Sequence, residues 1–170
     1  MKIAILLCIA LAYGADVAAD FDLERYKGQW FELARTKNAF FELGEKVKTV
    51  HQRNNAGGFL SDQSSVLPNG RVSHSVALIE PAGDAPGHFR FYYPRSWYSR
   101  HMRADYRVID TDYINYSIVV SQNHIGLWDV NFAWIFTRTA QVSNEVVDKL
   151  FNRLAELTGI QRYELHRTIQ

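Results

Sequence analysis

The sequence is poor in cysteine, in net charge and in long apolar runs, and each shortage narrows the function classes. Its single cysteine, Cys8, lies near the amino terminus, so a chain processed after residue 19 has neither a disulfide nor a cysteine nucleophile. Nineteen basic residues stand against 18 acidic ones, which gives no support for nucleic acid as a partner. No apolar run after residue 12 is long enough to predict a membrane-spanning helix.

The amino terminus has the features of an export signal. Lys2 supplies a positive start, residues 3–12 form an apolar run that is too short to span a bilayer, and small residues follow. The sequence therefore predicts a signal peptide over 1–19 and one soluble, secreted or otherwise exported domain over 20–170. A lipid anchor at Cys8 is the disfavoured alternative, because leucines rather than a small residue precede it.

What the chain does have is a series of short, aromatic-rich, alternating runs separated by turn residues, which is typical of an all-β protein. Hydrophobic residues make up 47% of the 170, enough for one domain with a full core. The predicted strands cover 28–37, 46–54, 59–66, 71–80, 88–93, 104–110, 113–121 and 128–138. Tight turns between most of them predict an eight-stranded antiparallel up-and-down β-barrel, which has room for side chains or for one small ligand.

One α-helix follows the strands. Ser143 suits its N-cap and Gly159 its C-terminal end. Its apolar stripe consists of Val146, Val147, Leu150, Phe151, Leu154 and Leu157. We expect this stripe to pack on the outside of the barrel, and the tail over 162–169 to be extended and to return to the sheet.

Three short blocks should meet at one pole of such a barrel. In an up-and-down meander the start of the first strand, the turn after the sixth and the end of the eighth lie at the same end. The side chains expected there, in a structural role, are Gly28, Trp30, Thr111, Asp112, Tyr113 and Arg138. Trp30 can plug the base, Arg138 can stack on its indole and bond nearby carbonyls, and Asp112 can accept backbone N–H groups of the turn.

The order and spacing of these blocks, with the helix behind them, resemble the signature of the lipocalin family. The resemblance covers about 24–170, and the segment 30–35 is most similar to the apolipoprotein D and bacterial lipocalin branch, although Ala140 stands where that branch often has proline. It implies a cup that binds and carries a small hydrophobic molecule (a fatty acid, lysophospholipid, sterol or retinoid), with no cofactor and no enzymatic activity.

Alternation along the strands predicts which side chains point inward. Counting from Trp30 places Glu32 and Ala34 inside, and counting back from Arg138 places Phe132 there. The residues predicted to contact ligand are Phe40, Phe41, Phe89, Phe91, Tyr106, Val108, Tyr116, Ile118, Trp134 and Phe136. Phe40 and Phe41 fall in the loop after the first strand, as a lid or packed on the rim. For each wall residue, ligand contact and simple core packing both stay open.

Several other interpretations stay open. The loop over 94–103 mixes aromatic residues with arginines, and it suits a solvated surface, an acidic headgroup or transient contact with a membrane surface. The protein is expected to be a monomer or weak dimer. The alternatives to lipid transport are an extracellular interaction module and a haem-binding lipocalin, with one of six scattered histidines as the ligand. Asn115 begins a formal glycosylation sequon.

Overall fold

The computed structural model describes residues 17–18, 20–39, 42–83, 85–94, 104–125 and 128–170. Its strands are β1 Gly28–Thr36, β2 Glu45–Arg53, β3 Phe59–Val66, β4 Val72–Pro81, β5 His88–Tyr92, β6 Ala104–Thr111, β7 Tyr116–Ile125, β8 Trp128–Thr137 and β9 Leu165–Arg167. The helices are α1 Leu23–Tyr26 and α2 Asn144–Thr158, with a 3₁₀ turn at Arg162–Glu164.

The first eight strands form a closed antiparallel barrel. Each is hydrogen-bonded to its neighbour in the chain, and β1 closes the ring by pairing with both β8 and β2. Closure leaves no open edge between the first and the eighth strand. The predicted all-β fold, an eight-stranded barrel with a C-terminal helix, is confirmed.

The carboxyl-terminal segment fills the place where β1 and β2 separate. These strands pair only over Gly28–Phe31 of β1, and β9 then pairs with residues 34–36 of that strand. The Lys46 N–H donates to the Ile169 carbonyl at 2.6 Å, and Gln170 Nε2 donates to the Val47 carbonyl at 3.2 Å. The predicted return of the tail to the sheet is therefore present, and the tail bridges two strands.

The apolar side chains form two separate layers. One fills the barrel, and the other lies between the outer face of the sheet and α2. Ser143 accepts the Val146 N–H at the start of α2, and Gly159 ends the helix with φ +76°. The predicted outer packing of this helix is present through Leu150 and Leu154, whereas Val146 is 39% exposed and turns away from the sheet.

Two register shifts decide which side chains face the interior. One lies between Glu32 and Ala34, where β1 pairs with β8, and the other between Val108 and Asp110, where β6 pairs with β7. A bulge adds one residue to a strand and so reverses the alternation beyond it. The predicted inward orientation of Ala34 is therefore wrong, because Ala34 packs in the outer layer beneath α2.

Among the described residues, neither helix combines the length and the apolar character needed to cross a bilayer.

Candidate functional site

One pole of the barrel is closed by Trp30 and Arg138. Trp30 has no exposed surface, and its Nε1 donates to the Tyr26 carbonyl at 2.9 Å. The guanidinium carbon of Arg138 lies 3.6 Å from the centre of the Trp30 ring, as the sequence predicts. Gly28 has φ +93°, a conformation that side chains rarely adopt, and a Cβ there would meet Arg138 Nη1 at 3.4 Å.

The remaining donors of Arg138 hold three chain segments together. Its Nε donates to the Tyr113 carbonyl at 3.0 Å, Nη1 to the Gln29 carbonyl at 2.9 Å and Nη2 to the Arg25 carbonyl at 3.0 Å. These acceptors lie in the turn before β7, at the start of β1 and in α1. A planar guanidinium with fixed donors suits such a junction.

Asp112 organises the turn between β6 and β7. Its Oδ1 accepts the backbone N–H groups of Ile114, Asn115 and Tyr116 at 3.1, 2.7 and 3.0 Å. Because these N–H groups bond a side chain rather than a neighbouring strand, the seventh strand begins at Tyr116, and the predicted start at residue 113 is wrong. Asn115 of the sequon consequently lies in the turn, where its Nδ2 also donates to Asp112.

Tyr113 joins this turn to the chain that precedes β1. Its hydroxyl accepts the Asp22 N–H at 2.9 Å and donates to the Asp20 carbonyl at 3.1 Å. The Arg25 guanidinium lies 4.2 Å from the ring centre, and Thr111 Oγ1 accepts the Tyr113 N–H at 3.0 Å. The predicted closed-end residues therefore all meet at this pole.

A layer of aromatic rings lies on the inner side of this closed end. Phe21 packs against Tyr26 and Phe89 with ring centres 4.9 and 5.6 Å apart, and Phe59 lies 5.3 Å from Phe89 and 6.1 Å from Tyr106. Most of these contacts are edge-to-face, the arrangement that aromatic quadrupoles favour. The rings form a solid floor, so the hollow part of the barrel lies toward the opposite pole.

That hollow part is a cavity with an aromatic wall and a polar minority. Its apolar lining consists of Ala77, Ile79, Phe91, Tyr93, Tyr106, Trp134 and Phe136. Its polar lining consists of Glu32, Glu42, Thr49, His51, Ser61 and Gln63. A mostly apolar pocket with a few convergent polar groups is the usual form of a small-molecule site.

The cavity is narrow. Its volume is about 50 Å³. Small-molecule sites commonly have volumes of about 300–1,000 Å³. A long-chain or broad ligand can therefore enter only if wall side chains move.

His51 stands at the boundary between the floor and the cavity. It is 4% exposed, stacks on Tyr26 with ring centres 5.4 Å apart and meets the edge of Phe59 at 4.6 Å. Neither ring nitrogen has a hydrogen-bond partner among the described residues. Burial, with a smaller effect from the charge of Arg138, lowers the pKa of His51 to about 3, so the ring is neutral near pH 7.

Glu32 carries its own counter-charge. Arg35 Nη1 and the Thr168 hydroxyl both donate to Glu32 Oε1 at 2.5 Å, and all three side chains are buried. Burial raises the pKa of this carboxyl, while Arg35 and Thr168 oppose the shift. The Glu32–Arg35 pair thus contributes little net charge to the cavity.

Glu42, between β1 and β2, is the second acid of the cavity and lacks such a partner. Trp134 Nε1 donates to its Oε2 at 2.9 Å. Burial, together with the charge of Glu32, raises the pKa of Glu42 to about 7, and the Trp134 bond and the charge of Arg35 oppose that rise only in part.

The structure places most of the predicted ligand-contacting residues inside the barrel, at two levels. Phe89 and Val108 lie in the floor, where other side chains cover them. The cavity wall contains the other four, which are Phe91, Tyr106, Trp134 and Phe136. Their contact with a ligand stays a prediction.

The predicted inward orientation of Tyr116 and Ile118 is wrong. Both pack in the outer layer against α2, and so does Val120, while Val119 points into the barrel. Both faces of β7 are apolar in the sequence, because α2 covers one face and the other face points into the barrel. Choosing the face with more large apolar residues therefore selects the wrong side.

Some predicted features lie outside the described residues. These are Phe40, Phe41 and the segment 95–103 of the arginine-rich loop. The lid, headgroup and membrane-surface interpretations attached to them stay predictions.

Other cavity residues carried no clear signal in the sequence. Glu42 lies in the loop between β1 and β2, where no periodicity assigns a direction, and the sequence leaves the facing of His51 open. Thr49, Ser61 and Gln63 are polar and so do not stand out as wall residues. Thr49 of β2 is the cross-strand partner of Trp30, and Gln63 of β3 is in turn the partner of Thr49. Inward-facing positions on β2 and β3 can therefore be counted from Trp30. Extending the count from Trp30 to its neighbours would have found Thr49 and Ser61.

In the part of the chain that the structure describes, no group of three or more His, Cys, Asp and Glu side chains is arranged to hold a metal ion.

Comparisons with known proteins agree with this architecture. A family model described as a lipocalin-like domain matches residues 21–170. Apolipoprotein D of Macaca fascicularis is 31% identical over 151 residues, which are 81% of this chain and 71% of that protein. Outer membrane lipoprotein Blc of Vibrio cholerae is 24% identical over 156 residues, 88% of this chain and 83% of the relative. The predicted similarity to this branch is confirmed.

Among solved structures, insecticyanin from the tobacco hornworm Manduca sexta superposes with a TM-score of 0.74 at 21% identity, and the match covers 91% of this chain and 83% of that one. At this identity the likeness supports the fold alone.

Proposed function

Since the chain belongs to the lipocalin family, whose members bind small hydrophobic ligands, we propose that it binds and carries one such molecule in the cavity above the aromatic floor. The observation that carries the proposal is the aromatic wall of that cavity, from Phe91 and Tyr106 to Trp134 and Phe136. Lipocalins are generally binding and transport proteins rather than enzymes.

The narrow space favours a slender ligand. Of the predicted classes, a single flexible chain, as in a fatty acid or lysophospholipid, displaces fewer wall side chains than a rigid sterol or retinoid. A 16-carbon chain offers roughly 14 methylenes at ~0.8 kcal/mol each, or about 11 kcal/mol gross. Lost translational and chain freedom costs about 4–15 kcal/mol, so the net is at most about 7 kcal/mol, which corresponds to a Kd of roughly 10 μM.

We further propose that the protein is exported after loss of residues 1–19 and acts as a monomer or weak dimer. The support is the sequence pattern of the amino terminus. Mass measurement of the protein secreted by its native host, together with its sedimentation, tests both statements.

The function itself is tested by native extraction followed by mass spectrometry of bound lipid. We expect a single-chain amphiphile to copurify, and tryptophan fluorescence to change when it is added back. Trp134→Phe should reduce that change, because Trp134 lines the cavity whereas Trp30 is sealed beneath it. An empty barrel that takes up no chain would favour the interaction-module alternative, and a Soret band would favour haem.

A further inference from the structure

The charge of the cavity differs from what a carrier of fatty-acid anions needs. Its ionisable lining consists of two carboxylates, Glu32 and Glu42, and one neutral imidazole, His51. No lysine or arginine lines it within the described ranges. Arg35 is nearby but is bonded to Glu32. Among the described lining residues, a carboxylate ligand would thus meet like charge and no cation, which is unfavourable in a site of low dielectric.

Glu42 is the group that a ligand could complete. Its Oε2 accepts the Trp134 Nε1–H at 2.9 Å, and no lysine or arginine is paired with it among the described residues. A partly buried carboxylate without a counter-charge is costly, and a cation beside it would lower that cost. Aromatic rings of Tyr93 and Phe91 line the same cavity.

His51 is a second and independent sign that the cavity expects a polar ligand group. The side chain is 4% exposed, lines the cavity and leaves both ring nitrogens without a partner among the described residues. A neutral imidazole offers one acceptor nitrogen and one N–H donor. A donor on a ligand can therefore bond the acceptor nitrogen of His51, and the Glu42 carboxylate also accepts.

We propose that the cavity binds a single-chain amphiphile whose polar end is a primary ammonium group, placed against the Glu42 carboxylate. This inference rests on the proposed carrier function and specifies its headgroup. An ammonium group is about the size of a water molecule, so it suits the polar part of a small cavity. It brings one positive charge and three donors to a site that offers acceptors.

The proposal has a proton-linked signature. The charged and donor groups that face Glu42 are Glu32 and Arg35 from β1 and Trp134 from β8. With its pKa raised to about 7, Glu42 is partly protonated in the empty cavity near pH 7 and should lose that proton when a cation binds. Amine affinity should therefore rise between pH 6 and 8, with net release of protons over that range. His51, with a pKa of about 3, does not titrate in this range.

The test compares four probes of equal chain length, decylamine, decyltrimethylammonium, decan-1-ol and decanoate, by calorimetry at pH 7.5 in two buffers of different ionisation enthalpy. We expect decylamine to bind at least tenfold more tightly than decanoate, with decan-1-ol between them and the bulky trimethylammonium weaker than decylamine. Glu42→Gln should lower decylamine affinity about tenfold, remove proton release and leave decan-1-ol binding within twofold.

Glu24→Gln is the matched control, because Glu24 is an exposed acid outside the cavity and its change in net charge is the same. Decan-1-ol binding shows that the Glu42 variant is folded. The inference is overturned if decanoate or the trimethylammonium probe binds as well as decylamine, or if Glu42→Gln leaves decylamine affinity unchanged. Failure of these four probes and of a 16-carbon lysophospholipid to bind would instead contradict the carrier function itself.

Discussion

Arg138 shows how one side chain can fix a whole pole of the barrel. It combines a stacking contact with Trp30 and bonds to carbonyls in α1, β1 and the turn before β7. Lysine could supply the charge but not the planar set of donors. The residue is therefore expected to act in stability rather than in ligand contact.

Replacing Arg138 by alanine should lower the free energy of unfolding by about 2–4 kcal/mol, because it removes the contact with Trp30 and three hydrogen bonds. Urea denaturation followed by circular dichroism measures this. Arg71→Ala, at an exposed position, is the control and should change stability by less than about 0.5 kcal/mol. Equal losses in both variants would contradict the closed-end role.

His51 and Glu42 give stability two pH dependences of opposite sign. Unfolded His51 takes up a proton near pH 6.5, whereas the folded side chain does not until about pH 3. The stability that the neutral buried ring contributes is therefore lost as the pH falls from about 6.5 to 3. Folded Glu42 holds its proton up to about pH 7 and the unfolded side chain only to about 4.5, so its contribution is present below pH 4.5 and lost as the pH rises through 7. Each slope is at most about 1.4 kcal/mol per unit.

Between pH 6.5 and 4.5 these slopes oppose each other, and single variants should separate them. Relative to wild type, His51→Phe should gain stability as the pH falls and Glu42→Gln should lose it. Urea denaturation at half-unit pH steps gives both profiles. Two variant profiles parallel to that of wild type would show that neither group titrates as its burial implies.

At the scale of elements, the tail acts as part of the wall. Thr168 donates to Glu32 and accepts from Arg35 at 3.1 Å, so the tail satisfies a buried ion pair beside the cavity. Thr168→Val keeps the shape of the side chain but removes both bonds, and should lower the free energy of unfolding by about 2–3 kcal/mol. Thr168→Ser keeps the hydroxyl and should lose clearly less. Thermal denaturation of the pair decides, and equal losses would point to packing alone.

The orientation of β7 also belongs to this scale. Ile118 has no exposed surface and packs beneath α2 rather than in the cavity. Ile118→Ala should therefore lower the free energy of unfolding by about 2–5 kcal/mol while leaving the affinity for a bound chain within twofold. Phe136→Leu, on the cavity side of the neighbouring strand, should change that affinity. A large change in affinity from Ile118→Ala would restore the inward orientation that alternation predicted.

The elements also show how far the sequence could predict this molecule. The strand order, α2 and the meeting of Trp30 with Arg138 follow from periodicity and strand counting, because turns and caps have local chemical signals. The inward face of β7 does not follow from the sequence, because that strand lies between two apolar layers. The direction of Ala34 does not follow either, because Ala34 lies beyond a bulge. Glu42 was missed because its direction depends on tertiary contacts with Trp134.

At the scale of the whole molecule, the closed pole and the cavity are separate parts of one barrel. The aromatic floor lies between them, so a ligand must reach the cavity from the opposite pole. At a ligand concentration a hundredfold above Kd, binding should stabilise the folded protein by about 2.7 kcal/mol. For a domain of this size that corresponds to a rise in Tm of roughly 5–11 °C.

Because the closed pole and the cavity are separate, Arg138→Ala should weaken the first without changing the second. Its Tm should be lower than that of wild type both with and without decylamine, because the closed pole is weakened in both states. The ligand-induced rise in Tm should nevertheless stay the same within about 2 °C, since no part of Arg138 lines the cavity. Differential scanning calorimetry of both proteins, empty and loaded, gives the four midpoints. A much smaller rise in the variant would mean that closing the base helps to shape the ligand site.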